Sequence, residues 1–183
     1  MIRLFGRRVM LRPLVPTDFP SYSEVRVRCE RWLVPWEPQR IVGQPDPTRD
    51  REAFTTRSNA RERERQLGAG AGFGIFVDGA FAGEINVNNI VRGAFQSCHL
   101  GYQLDEREIN RGLITEALQR AIDFVFDELK LHRIEVNVMP RNQRSRRVAE
   151  KLGFVEEGLA KQYLKINGVW EDHLHYVILN DAV

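Results

Sequence analysis

The stretch Ile109 to Leu118, INRGLITEAL, sets one glycine between an apolar run and a segment of strong helical periodicity. Glycine there lets main chain approach a partner closely, and the free N–H groups at a helix start attract anions. A plain strand-to-helix turn would use the same residue. A second stretch, Pro140 to Phe154 (PRNQRSRRVAEKLGF), places Asn142 where it can cap a helix and Ser145 three residues on. Arg144, Arg146, Arg147 and Lys151 add positive charge. A capped helix with a solvated basic face accounts for Asn142 and Gly153 but not for four cations in one short helix. In a third stretch Glu84 lies beside Asn86 and Asn88 on the polar side of an alternating strand. A carboxylate there could act as a general base, directly or through a water. The plainer alternative is a solvent-facing strand residue.

Other candidates carry less. His173 and His175 share a face of the last strand, but without Cys or acidic ligands at suitable spacing they make a weak metal set, and no metal is expected. Asp172 and Tyr163 are acid–base candidates that read equally well as hydrogen-bonded structural residues. Trp32 and Trp36 could line a groove, although aromatics beside proline more often pack.

The elements that must hold these residues follow from periodicity. A strand is expected over Arg7 to Leu14, then a helix over TDFPSYSEVRVRCERWL, an ordered Pro- and aromatic-rich loop from Val34 to Pro47, and a helix starting near Asp46. From Gly72 the period becomes that of strands, with a tight hairpin at Asp78-Gly79. The next strand puts Phe81, Gly83, Ile85 and Val87 on one face and Ala82, Glu84, Asn86 and Asn88 on the other. SCHLGYQL is a strand, Gly112 to Leu129 a long helix, RIEVNVM a strand, and NQRSRRVAEKLG a short helix. Two late strands meet at Asn167-Gly168. Hairpins first and strand–helix–strand–helix later describe one α/β domain over residues 1–183 with a mixed, mostly antiparallel sheet flanked by helices.

Composition narrows the classes. The chain is 43% hydrophobic and 28% charged, as for a globular protein with its own core. Its 27 basic residues are nearly matched by 25 acidic ones, so a strongly basic nucleic-acid binder is excluded while a local anion site is not. The RERERQ run reads as a solvated helix face. Two cysteines make no disulfide framework, and the opening MIRLFGRRVMLRPL has no long apolar segment. A cytoplasmic location is expected, with no membrane partner and no direct nucleic-acid partner.

Taken together, LGYQL, INRGLITEAL and LHRIEVNVMPRNQRSRRVAEKLGFVEEG resemble the acyl-CoA-binding half of the GNAT acetyltransferases. More narrowly, WEP at Trp36, NIVRGAFQSCHLGY at Asn89 and KQYLKINGVWEDH at Lys161 resemble the ribosomal-protein alanine N-acetyltransferases of the RimJ/RimL type. The resemblance runs from LRPL to the last strand. It implies a GNAT fold and acetyl-CoA as acyl donor. It also implies that N–H groups of Asn110, Arg111, Gly112, Leu113, Ile114 and Thr115 hold a pyrophosphate. Ile109 and Ile114 depart from the family's polar and small residues, but main-chain donors do not depend on those side chains. By the same resemblance Leu104 pairs with the pantetheine arm through its backbone, Asn142 hydrogen-bonds that arm, and Ser145 stands near the leaving sulfur. The tyrosine that some relatives use as acid is replaced by Ala149. The resemblance leaves room for a homodimer.

Acyl transfer from a thioester to an amine needs a neutral amine, a polarised carbonyl and a stabilised thiolate. Neutralising an α-amine at pH 7 costs about 1.4 kcal/mol, and a lysine about 5 kcal/mol. With no evident His–Asp machinery, the easier α-amine is favoured, with Glu84 as base and Ser145 as acid. The acceptor expected is a protein N-terminus, and the resemblance implies alanine of a ribosomal protein. Two alternatives stay open: a small-molecule amine such as a polyamine or antibiotic, and a CoA-binding module without catalysis.

Overall fold

The computed structural model describes residues 2–182. Its strands are β1 (Leu4–Phe5), β2 (Val9–Arg12), β3 (Ala71–Val77), β4 (Ala80–Val91), β5 (Ser97–Leu104), β6 (Arg133–Val138), β7 (Val155–Ile166) and β8 (Val169–Leu179). Its helices are α1 (Phe19–Arg28), α2 (Glu30–Leu33), α3 (Arg51–Gln66), α4 (Leu113–Asp123) and α5 (Gln143–Lys151). All eight strands form one sheet in the order β1-β2-β3-β4-β5-β6-β8-β7. Every neighbouring pair is antiparallel except β5 and β6, which α4 joins as a parallel crossover.

Two clusters sit on opposite faces. The larger packs α4 and α5 against the sheet, with Phe73, Ile85, Leu100, Ile134 and Leu118 at its centre. The smaller packs Tyr22, Val25 and Phe54 of α1 and α3 against Phe76 and Phe81. Phe81 therefore lies on the same side as Glu84, not with Ile85 and Val87 as strict alternation predicts. The cause is a bulge: Ile75 pairs with Gly83 but Phe76 with Phe81, so Ala82 is the extra residue and the phase flips there.

Other boundaries shift for local reasons. The first helix breaks at Cys29 into α1 and α2. The second begins at Arg51, because Asp50 in extended geometry caps it by accepting from the Ala53 N–H. Between them Val34–Trp36 forms a 3-10 turn, and Pro38 bridges to Ile166. The first strand candidate, Arg7 to Leu14, shortens to β2, and the two-residue β1 lies ahead of it. The long helix closes as a π-helical turn over Phe124–Glu128.

Two details shape the cleft described next. Gly83 faces Leu104, and a Cβ there would run into the main-chain carbonyl of Gln103, so the glycine lets β4 approach β5 closely at the cleft's edge. β5 and β6 pair only over Ser97↔Arg133, Cys98↔Ile134 and His99↔Glu135. Beyond His99 the two strands part. The rest of β5 thus leaves one edge of main-chain groups unpaired with β6, while β6 stays bonded to β8 through Val138.

Candidate active site

A cleft of about 690 Å³ opens at this parting. One end is lined by Ile109, Asn110, Gly112, Ile114 and Thr115, the middle by Gly101 to Leu104 and Ser145, and the other end by Glu84, Arg57, Arg26 and Glu37.

The first end is made of main chain. Asn110 (φ 61°) and Gly112 (φ 74°) are both left-handed, a conformation that glycine adopts freely and asparagine better than most. Gly112 is the N-cap of α4, and its carbonyl accepts the first helical bond, from Glu116 N–H at 3.1 Å. The N–H groups ahead of Glu116 are the ones a helix start leaves without intrahelical partners. Arg8 braces the turn. Its guanidinium donates to the Arg111 carbonyl at 2.8 Å and to Glu116 at 2.9 Å, and its N–H donates to Glu116 at 2.6 Å. Nothing in the pattern around Gly112 pointed to Arg8. Arg111 and Leu113 contribute no side chain to the cleft: the Arg111 guanidinium turns to Glu108, and Leu113 is buried in the core. Ile109 and Ile114 rest against the larger core while lining the cleft wall.

In the middle, Asn142 caps α5 by accepting the Ser145 N–H at 3.1 Å. The Tyr102 hydroxyl donates to the Ser145 carbonyl at 3.2 Å, and burial pushes that phenol up to about 12. Ser145 is thus held from both sides. Trp32 donates its indole N–H to the Leu104 carbonyl at 3.3 Å, so that acceptor on β5 is already taken. Arg144 stacks on Trp32 at 4.5 Å and Arg141 on Trp36 at 4.7 Å, so both tryptophans wall the cleft by packing under cations.

The far end is made of side chains. Glu84 is only 3% exposed, which corrects the solvent-facing alternative. It accepts from Arg57 Nη2 and from Gln103 Nε2, both at 2.7 Å. Arg26 pairs with both Glu37 oxygens, at 2.5 and 2.7 Å, and also donates to the side-chain Oε1 of Gln103. Two carboxylates, two guanidiniums and one amide therefore form a single network, in which each buried charge has its counter-ion. Sequence reasoning found only Glu84 in it. The sole hint of Gln103 was its place two residues after Gly101, on Glu84's side of β5.

The remaining candidates fall outside the cleft. Asp172 accepts the Gln162 N–H at 2.8 Å across a bulge in β7, a structural role. His173 is buried against the Glu171 carbonyl, and desolvation lowers its basicity. Tyr163 packs edge-on against both His173 and His175. Among the described residues no three His, Cys, Asp or Glu side chains converge as metal ligands.

Residues 8–155 match the acetyltransferase (GNAT) domain. The chain belongs to the GNAT acetyltransferases. As a member of that family it is an acetyl-CoA-dependent N-acyltransferase. Among relatives, the chain is 33% identical to the [ribosomal protein uS5]-alanine N-acetyltransferase of Escherichia coli, over 94% of this chain and 88% of that protein. It is 51% identical to the probable N-acetyltransferase YjcK of Bacillus subtilis, over 59% of this chain and 61% of that protein. Mycobacterium smegmatis RimJ, solved in complex with CoA-disulfide, superposes with a TM-score of 0.92 at 32% identity, covering 100% of this chain and 89% of that one. No helix among the described residues is long and apolar enough to cross a membrane.

Proposed function

We propose that this acetyltransferase modifies the N-terminal α-amine of a protein, alanine of a ribosomal protein being the first candidate, in the cytoplasm. The observation that carries the reading is the likeness to the uS5-alanine enzyme, which extends through both ends of the cleft and not only through the acyl-CoA half. In this reading the N–H groups from Asn110 to Thr115 hold the diphosphate, since a helix start favours anions. The unpaired edge of β5, near Leu104, and the side chain of Asn142 line up the arm that carries the acyl group. Ser145 supplies a proton to the departing sulfur, and Glu84 keeps Arg57 and Gln103 in place around the incoming amine. A carboxylate has about four lone-pair sites, so two donors on Glu84 still leave room for the amine itself.

The test is thiol release from acetyl-CoA with short peptides beginning Ala, Ser or Met, beside a polyamine panel. The reading expects turnover of the Ala and Ser peptides, with mass spectrometry placing one acetyl group on the α-amine. Polyamine turnover without peptide turnover would overturn it.

A further inference from the structure

Beside Glu84 in the cleft stands an amide that the reaction described so far does not use. Glu84 and Asn86 are two residues apart on β4, so both side chains leave the same face of the sheet, and both line the cleft. Their partners on β5 are Gln103 and Gly101. Asn86 faces glycine on its other side too, at Gly72 of β3. Neither glycine has a side chain to cover it. Asn86 is accordingly half-buried where Glu84 is buried.

The neighbouring amides are engaged. Gln103 bonds both Arg26 and Glu84, and Asn88 accepts from Arg61 at 3.0 Å. Among the described residues, Asn86 makes no side-chain hydrogen bond. Its Oδ1 is buried without a partner on the β3 side, 3.2 Å from where a Cβ on Gly72 would stand. Nδ2 lies across the same planar amide, so it turns away from β3, toward Gly101 and the cleft. The group presented there is an N–H donor, and what it lacks is an acceptor.

Spacing along the strand says which acceptor fits. Two residues of a strand cover about 6.6 Å. Each hydrogen bond spans about 2.9 Å. In an aminoacyl unit the amine nitrogen and the carbonyl oxygen are three bonds, or about 3 Å, apart. An N-terminal residue can therefore bridge the two side chains, with its amine on the Glu84 carboxylate and its carbonyl on the Asn86 amide. A polyamine cannot do the same, because its next polar group is another cation and hence another donor. An amine with no second polar group leaves the Asn86 N–H unsatisfied.

Resting on the reading above that the acceptor is an N-terminal α-amine, we propose that Asn86 determines specificity, its Nδ2 donating to the carbonyl oxygen of the acceptor's first residue. The substrate class is then narrower than primary amines. It is the α-aminoacyl compounds, in which a carbonyl stands one carbon from the amine. The enzyme reads a chain's start by that carbonyl as well as by its amine.

The experiment compares two acceptors: alaninamide, and isopropylamine, in which a methyl group replaces the carboxamide. Values of kcat/KM are taken per neutral amine, so that the different basicities drop out. In Asn86→Ala the wild-type preference for alaninamide should fall about 10-fold, the worth of one hydrogen bond, through a rise in the KM for alaninamide. Melting temperature and acetyl-CoA affinity by calorimetry should stay as in wild type. Asn86→Ser keeps a donor and should recover part of the preference; it also serves if Asn86→Ala does not fold. Where isopropylamine turnover is too slow to measure, the alaninamide constants decide: a 10-fold higher KM with kcat within threefold supports the proposal, and an unmoved KM overturns it. An unchanged preference overturns it as well, and so does an equal loss with both amines, which would put the amide on the thioester carbonyl instead. Failure of the functional reading looks different: wild type then turns over neither alaninamide nor an Ala peptide, and the proposal falls with it.

Discussion

The two ends of the cleft are built from different materials. At the α4 end the functional groups are main-chain N–H donors, presented by two left-handed residues and a helix start. At the Glu84 end they are side chains from α1, α3, β4, β5 and the loop after α2, tied into one network of charges. A main-chain site depends on local conformation, so single side-chain changes along it are expected to be mild. A side-chain site depends on partners brought from far along the chain, and removing one leaves another buried without its counter-charge. That difference predicts how each end breaks.

The largest effect is expected at the Glu84 end. Arg57→Met strips the guanidinium from a carboxylate that is only 3% exposed. Breaking a buried pair from one side typically costs about 3–5 kcal/mol, whereas removing both charges is far gentler. Urea unfolding should therefore show Arg57→Met as the weaker protein and Arg57→Met/Glu84→Gln as partly restored. A double variant no better than the single would mean that the network is not the unit described here.

Ser145 sits between the two ends and should affect rate rather than fold. It is half-buried and held through its own main chain, by Asn142 and Tyr102, so Ser145→Ala leaves both bonds in place. If its hydroxyl protonates the sulfur, kcat falls by about 100-fold, or about 2.7 kcal/mol in the transition state. Melting temperature and donor affinity stay as they were. Steady-state kinetics with a scanning-calorimetry control separates the two readouts, and an unchanged kcat removes Ser145 from the chemistry.

Asp105, just after β5, gives a smaller effect with a defined pH window. Its carboxylate takes two bonds of 2.8 Å from Arg28, and that pairing holds it down to about 2 from an ordinary value of 3.8. The folded value lies below the unfolded one. The stabilisation is therefore fully present above about pH 4 and is lost as pH falls towards 2. Asp105→Asn should be about 2 kcal/mol less stable at pH 7, with the gap closing across that window. Denaturation midpoints at pH 7, 4 and 2 would show it. A gap that persists at pH 2 would assign the loss to packing instead.

What was legible in the sequence follows the same division. The Gly112 turn, the Asn142 cap and the Asp78-Gly79 hairpin each depend on a few adjacent residues, and each stands where the pattern placed it. The sheet's mostly antiparallel character followed from the order of elements, whereas which pair runs parallel, β5 with β6, came from the structure. The side of Phe81 did not, because one extra residue at Ala82 inverts an alternation that is otherwise sound. Nor could composition or period reveal that Arg57 meets Glu84 27 positions away, or that Gln103 joins Arg26 across 77. Charged residues on α3 look alike in sequence: Arg57 enters the cleft, while Arg65 forms an exposed pair with Glu62. Only the sheet beneath the helix distinguishes them.

Asn142, in the middle of the cleft, sharpens the comparison most finely, because there one side chain has two tasks. Its carbonyl oxygen caps α5, and in the proposed reading its side chain also bonds the pantetheine arm. Losing a cap costs about 1 kcal/mol, so Asn142→Ala should unfold at slightly lower denaturant and bind acetyl-CoA more weakly. Aspartate caps a helix about as well as asparagine but has no N–H to donate. Asn142→Asp should then recover the stability. If the arm accepts a bond from the amide N–H, the affinity stays low; if the arm donates to the amide oxygen, the affinity returns with the stability. Calorimetric titration of the two variants beside their unfolding curves distinguishes the cases, and full acetyl-CoA affinity in Asn142→Ala would leave this residue as a cap alone.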